Sequence, residues 1–378
     1  MAQDKNSKQL PRGISYRADK DLYMGRFTFE GKTYTFYEKD LKKITKTLEN
    51  KRYEIQHGLA GAADKISLDT WFSEWMNQYK RTSVKETSYN NYQNLYSCYV
   101  QPSLGKKHLK QIKPVHIQRL FNDLSQKGLS AGTLSSVKAL LSAVFQTAVH
   151  NDLVVKNACT GVKLPAAKAE EPRVLTIDEQ VILLNHMDKE RWQTYAPLIT
   201  VMLATGLRLG EALALTWDCV DFDNREIVVE KTLVYVKDIS TGSFMFKFQS
   251  PKSEAGKRTI PLVKEAVDAL QRQRVAQMRL RLAMGPRWKS VEGFELLAFT
   301  TSQGTPLQES AIRKMLVKVV AEINAEETAR AQEKGREPFV FEHIHPHTLR
   351  HSFATRAIEC GMVPKTLQRI LGHSKLEP

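Results

Sequence analysis

The chain has 378 residues, 42% of them hydrophobic, and a formal charge of +15 at pH 7. That length is more than one ordinary domain and enough for two or three with proper cores, while no apolar run approaches the roughly 20 residues of a membrane span and Met1-Ala2-Gln3-Asp4-Lys5 lacks an apolar signal region. Most of the charge surplus lies in residues 1–165, where 26 basic side chains meet 14 acidic ones, a balance that favours a polyanionic partner.

Residues 1–11 are polar and expected to be disordered. From Ile14 to Tyr37 apolar and polar residues alternate: Tyr23, Gly25, Phe27 and Phe29 share a face, Glu30-Gly31-Lys32 makes a turn, and Tyr34 and Phe36 resume the pattern. This predicts a three-stranded antiparallel sheet. A basic helix over about residues 39–57 follows, with Leu41, Ile44 and Leu48 inward, so residues 1–60 form a small α+β domain. The small-residue run Gly58-Leu59-Ala60-Gly61-Ala62-Ala63 marks a linker.

Residues 64–163 read as an all-α bundle. Leu68, Trp71, Phe72, Trp75, Met76 and Tyr79 recur at helical spacing, and such an aromatic stripe is core, not a base-stacking platform. Helices are predicted over about residues 88–100, 114–126 and 131–150, the last with Leu134, Val137, Leu140, Leu141, Val144, Phe145 and Ala148 inward. Residues 163–172, with two prolines, make an extended connection to a third domain over 173–378. The four cysteines, Cys98, Cys159, Cys219 and Cys360, lie far apart and read as buried thiols of a reducing compartment, neither a disulfide frame nor a zinc site.

The third domain opens on Thr176-Ile177-Asp178-Glu179, a capping box. Helices run through Thr205 and again across Glu211 to Leu215; Gly206 ends the first, so Arg208 emerges at a helix start, where unpaired N–H groups favour an anion. Residues 226–230, 233–237, 244–248 and 258–262 are strand-like, and long helices are expected over 263–284 and 308–325, with a charged, exposed stretch over 326–337. Pro346 opens a further helix on which His347 and Arg350 lie one turn apart, a proton-transfer group beside a permanent cation.

Taken in order, Ala204-Thr205-Gly206-Leu207-Arg208-Leu209-Gly210-Glu211, Pro251-Lys252-Ser253, Arg258-Thr259-Ile260-Pro261-Leu262, His347-Thr348-Leu349-Arg350 and Leu371-Gly372-His373 resemble the tyrosine recombinase (phage integrase) family, and within it the integrases of phages and conjugative transposons. The resemblance spans residues 176–373 and implies a multidomain, mainly α protein: an arm-binding α+β domain, an all-α core-binding domain, and a mixed, mainly helical catalytic domain with a small antiparallel sheet. It also implies DNA cleavage without metal or other cofactor. Arg208 and Arg350 would neutralise the growing charge on the phosphate oxygens, each with a flat fork of donors. Lys252, at the tip side of a hairpin, would protonate the leaving 5′ oxygen, with Lys257 as its neighbouring competitor. His347 would orient the phosphate, His373 would hydrogen-bond one of its oxygens, and Glu211 would hold an active-site side chain in place.

By the same resemblance, Arg17, Lys20, Arg26 and Lys32 are candidate contacts of an arm-binding sheet to DNA, and Lys80, Arg81, Lys85, Lys106, Lys107 and Lys138 are candidate contacts of the core-binding bundle to the backbone. The partners implied are double-stranded DNA with arm and core sites, a homotetramer on that DNA, and accessory DNA-bending and excision proteins, in a bacterial, nucleoid-associated cytoplasm. The chain departs from the family at the nucleophile: a tyrosine is expected within about three helical turns of Leu371-Gly372-His373, and none occurs after Tyr235. The polypeptide as written is therefore expected to stop short of the tyrosine, to bind DNA and to assemble the pocket without cleaving. Two rivals remain: a metalloenzyme built on His343, His345, His347 and His351, and a non-catalytic DNA-binding regulator. A type IB topoisomerase shares the cleavage constellation, but the front domains favour recombination.

Overall fold

The computed structural model of the chain describes residues 9–56, 66–165, 171–251 and 256–372. It divides into two compact units, Met1–Lys168 and Ala169–Pro378.

In the first unit, strands β1 (Ile14–Arg17), β2 (Leu22–Phe29) and β3 (Lys32–Glu38) form an antiparallel sheet in that order, with Tyr23 opposite Glu38 and Phe27 opposite Tyr34. Helix α1 (Leu41–Gln56) covers the face carrying Tyr23, Gly25 and Phe27, and buries Ile44 and Leu48 against it. Gly25 is where helix and sheet come closest: a Cβ there would stand 3.1 Å from Leu48 Cδ1. The opposite face carries Ser15, Arg17, Met24, Arg26, Thr28, Thr35 and Tyr37, as the register requires.

The helical part of this unit begins with α2 (Leu68–Trp75), capped by the Ser67 hydroxyl and prolonged by a π-helical turn over Met76–Lys80. Then come α3 (Glu86–Leu95), with its own π turn to Val100, a single turn α4 (Gln101–Leu104), α5 (Pro114–Gln126) and α6 (Ala131–His150). The predicted stripe is core up to Met76; Tyr79 is exposed and donates its hydroxyl to Asn151. Two indoles fasten α2 to α6, Trp71 to the Val144 carbonyl at 3.1 Å and Trp75 to Thr147 at 3.0 Å, so each buried ring keeps its N–H paired.

The second unit is built around α8 (Ala196–Thr205), which is buried on nearly every side, as an all-apolar helix must be. Helices α7 (Ile177–Met187), α10 (Lys264–Met284) and α12 (Pro346–Glu359) pack on it, and the short α9 (Leu209–Leu213) follows it directly. Strands β4 (Val220–Asp221), β5 (Glu226–Val229) and β8 (Arg258–Pro261) make one antiparallel sheet in the order β4-β5-β8, while β6 (Thr232–Lys237) and β7 (Phe244–Gln249) form a separate hairpin. Helices α11 (Glu309–Glu333) and α13 (Pro364–Leu371) complete the unit.

Several expectations need correction. Helix α11, expected to end near Ala325, instead runs on to Glu333; the charged stretch it enters is mainly exposed, as expected, with Ala331 buried and Glu327 and Glu326 paired with Arg336 and Lys189. Cys98 and Cys360 are exposed; only Cys159 and Cys219 are buried thiols. The tip of the β6–β7 hairpin lies between Lys237 and Phe244, whereas Lys252 belongs to the β7–β8 connection, where residues 252–255 fall outside the described residues.

Candidate active site

The site is assembled where α8, α9, α12, α13 and β8 meet. Helix α8 ends on Gly206 in the left-handed region at φ 66°, and the turn it permits brings Arg208 to the N-cap of α9. The position admits no side chain, since a Cβ on Gly206 would stand closer than 3.0 Å to both the Phe353 ring and Leu371 Cδ2. Glu211, one turn on, closes a capping box: its carboxylate accepts from the Arg208 backbone N–H at 3.0 Å and from Arg208 Nη1 at 2.8 Å.

Glu211 is 6% exposed. Such a buried carboxylate requires cationic partners, and it has a second one in Arg258, whose Nη2 reaches Oε2 at 2.8 Å. Burial alone would raise the Glu211 carboxyl, but the hydrogen bonds and charges of Arg258 and Arg208 hold it below the usual carboxylate range. Arg208 itself is 39% exposed, so its guanidinium is anchored at one corner while facing solvent.

Arg350 comes from α12 and is 5% exposed. Its Nη1 donates to the Gly206 carbonyl and its Nη2 to the Leu371 carbonyl, both at 2.7 Å, joining the α8–α9 turn to the last turn of α13. Burial, then the nearby charge of Arg208, pushes its pKa down to about 10, with Glu211 opposing and Arg258 adding to the shift. Three cations and one carboxylate thus share a small volume, an excess of positive charge that an anion would relieve.

His347, the first turn of α12, is solvent-facing beside this cluster, and burial of part of the ring followed by the charges of His345, His351, Arg350 and Arg313 lowers its pKa. It is therefore the neutral imidazole that faces solvent near pH 7. His345, which precedes the helix, and His351, one turn along, sit with ring centroids 6.2 and 6.4 Å from that of His347. Among the described residues no three histidines, cysteines or carboxylates gather as a metal-holding group.

The structure thus brings together Arg208, Glu211, Arg350 and His347. Lys252 and His373 lie outside the described residues. Sequence reasoning missed Arg258 as part of this cluster; the signal was its place on β8, where it shares a face with buried Ile260.

The phage integrase family matches residues 173–378, and the N-terminal SAM-like domain of phage integrases matches residues 67–125. The chain belongs to the phage integrase family. Members of this family of tyrosine recombinases cleave and rejoin DNA. A tyrosine recombinase XerC-like protein of Caldanaerobacter subterraneus is 28% identical over 90% of this chain and 85% of its own length. The transposase from transposon Tn916 of Enterococcus faecalis is 25% identical over 90% of this chain and 79% of its own. Among solved structures, the Tn1549 transposon integrase in complex with transposon right end DNA superposes with a TM-score of 0.67 at 27% identity, covering 82% of this chain and 92% of that one.

The candidate DNA contacts are placed as follows. Arg17 and Arg26 are exposed on the uncovered face of the β1–β3 sheet, Lys20 lies in the β1–β2 turn and Lys32 begins β3; Arg17 pairs with Asp19 at 2.9 Å. In the bundle Arg81, Lys85, Lys106 and Lys107 are exposed, Lys80 lies 4.8 Å over the Trp75 ring, and Lys138 is half-buried and donates to the Val162 carbonyl at 2.6 Å.

Proposed function

We propose that this protein is a transposon-type integrase that recombines DNA at defined sites, and that Arg208, Arg350 and His347 grip the phosphate to be broken. The observation that carries the reading is the meeting of two arginines from distant parts of the sequence beside one imidazole, with Glu211 buried beneath them. Arg208 and Arg350 stabilise the charge that grows on the non-bridging oxygens, and His347, neutral near pH 7, accepts a proton from the attacking hydroxyl. Lys252 is the proton donor to the leaving oxygen and His373 a hydrogen-bond donor to the phosphate. The products are a 3′-phosphotyrosine ester and a free 5′ hydroxyl, and the ester keeps the energy needed for rejoining, so no ATP is required.

In this reading residues 1–60 bind arm sites, 64–163 bind core sites and 173–378 carry the chemistry. Arg17, Lys20, Arg26 and Lys32 contact the arm DNA, while Lys80, Arg81, Lys85, Lys106 and Lys107 contact the core DNA. Lys138 serves the bundle through Val162 and is the weakest of the candidates. Four copies assemble on paired sites through a Holliday junction, with accessory bending or excision proteins, in a bacterial cytoplasm beside the nucleoid.

The reading assigns the attacking hydroxyl to a tyrosine, and residues 236–378 hold none. The second reading is a DNA-binding regulator that uses the same pocket to hold a phosphate without breaking it. The test is a nicked suicide duplex offered to the protein as its whole reading frame encodes it. A covalent protein–DNA adduct lost on Arg208→Ala supports the integrase, and the absence of any adduct on a specifically bound duplex supports the regulator.

A further inference from the structure

Resting on that reading of the pocket, we infer that Arg258 is a positioning residue that locks the three separate segments of the phosphate site into one register. The side chain is 6% exposed and does not face solvent. Its guanidinium nonetheless donates hydrogen bonds from all three nitrogens, in distinct directions. Nη2 donates to Glu211 Oε2 at 2.8 Å, and Nη1 donates to Glu211 Oε1 at 3.3 Å and to the Gly256 carbonyl at 3.0 Å, while Nε donates to the Ile370 carbonyl.

Each acceptor belongs to a different part of the site. Glu211 orients Arg208. Ile370 lies in the last turn of α13, next to Leu371, whose carbonyl accepts from Arg350. The two arginines therefore hold adjacent carbonyls at the C-terminus of α13, where unpaired carbonyl groups and the negative end of the helix favour cations. Gly256 lies in the β7–β8 connection two residues before Arg258, and it packs so tightly on Pro251 that a Cβ there would stand closer than 3.0 Å to that proline's side chain.

The chemistry requires an arginine at this place. A lysine offers one point of charge and could satisfy Glu211 or the Ile370 carbonyl, but not a planar set of acceptors spread around it. Arg258 also sets the state of Arg208. With both Glu211 oxygens already met by Arg258, one corner of Arg208 suffices to complete the pairing, and the rest of its fork is left toward solvent. Without Arg258, a buried carboxylate with one partner would draw Arg208 inward, away from the phosphate.

The test compares Arg258→Lys and Arg258→Met with wild type in the full 378-residue chain, with Arg208→Ala alongside. Thermal unfolding establishes that each variant folds; Arg258→Lys keeps the charge and serves if Arg258→Met does not. Two readouts follow: amide hydrogen exchange over residues 209–212 and 369–372, and inorganic phosphate affinity read from the His347 ring resonances, assigned with His347→Gln. Arg258→Lys should accelerate exchange in both segments and weaken phosphate binding by about 10-fold or more, as a misplaced catalytic group does. Arg208→Ala should weaken phosphate while leaving exchange over 369–372 unchanged. Wild-type exchange in either segment of a folded Arg258→Lys protein, or undiminished phosphate affinity, would overturn the inference. If wild type itself shows no response to phosphate, it is the pocket's function that fails, and the two exchange measurements alone decide whether Arg258 couples its segments.

Discussion

Replacing Gly206 with alanine tests the joint on which the site is built. The residue sits at φ 66°, and an L side chain in the left-handed region costs about 1–2 kcal/mol. The new Cβ would also stand closer than 3.0 Å to the Phe353 ring and Leu371 Cδ2, both held in the packing between α12 and α13, and overpacking of this kind costs about 1–3 kcal/mol. The sum is a loss of about 2–5 kcal/mol, and a unit of this size shifts its midpoint by about 2–4 °C for each kcal/mol. Gly361 supplies the control: its φ of 83° is equally left-handed, but nothing stands within 4 Å of its absent Cβ, so Gly361→Ala carries the backbone cost alone. Calorimetry on both variants, following the transition of the second unit, should find Gly206→Ala the more damaging. Equal shifts would refute the claim that Phe353 and Leu371 close on that glycine. Because the Gly206 carbonyl accepts from Arg350, Gly206→Ala should also weaken DNA binding, and Gly361→Ala should not.

Arg350→Ala should unfold at a lower temperature than Arg208→Ala, because it strips a donor from the buried Gly206 and Leu371 carbonyls at about 1–3 kcal/mol each, whereas Arg208 is half in solvent; thermal melts of the two variants decide this. The pH response follows from His345, His347 and His351, all held below their ordinary value of 6.5, first by burial and then by one another's charges and those of His343, Arg313 and Arg350. The unfolded chain binds protons on these rings that the folded chain resists, so their contribution to stability is fully present above pH 6.5 and is lost as the pH falls toward the depressed values. DNA affinity should run the other way, rising on mild acidification because a phosphate favours the imidazolium, and His347→Gln should flatten that slope in gel-shift titrations; a slope unchanged by it would remove His347 from the interface. Asp238→Ala should loosen the β6–β7 hairpin, since Asp238 accepts from Ser240, Thr241 and Lys247 and its carboxyl is held far below the usual range by Lys247 and Ser240, and amide exchange confined to residues 233–248 is the expected readout.

Much of this was legible in the sequence where one local rule decides the outcome. Helices α5 and α6 begin and end where periodicity places them, the Thr176 capping box forms as its spacing requires, and Gly206 stops α8. Reading failed where partners lie far along the chain. Helix α11, expected to stop near Ala325, runs on to Glu333, and one ion pair on that extension, Glu326 with Lys189, joins segments far apart in the chain. The exposure of Cys98 and Cys360 is likewise a matter of packing; thiols carry no pattern that announces it. In the site, the ordered motifs announced Arg208, His347 and Arg350, but the sequence did not say that Arg350 would be buried and bound to two carbonyls. Nor did it single out Arg258, although an arginine alternating inward with Ile260 is a buried charge that needs a partner.

The central claim, that Arg208 and Arg350 act on one and the same phosphate, is tested by replacing single DNA phosphates with neutral methylphosphonates and measuring binding of wild type, Arg208→Ala and Arg350→Ala to each duplex. A single phosphate position should exist at which the charge is already gone and both substitutions cease to matter, while at every other position both still weaken binding. Losses that vanish at two different positions, or at none, would contradict it.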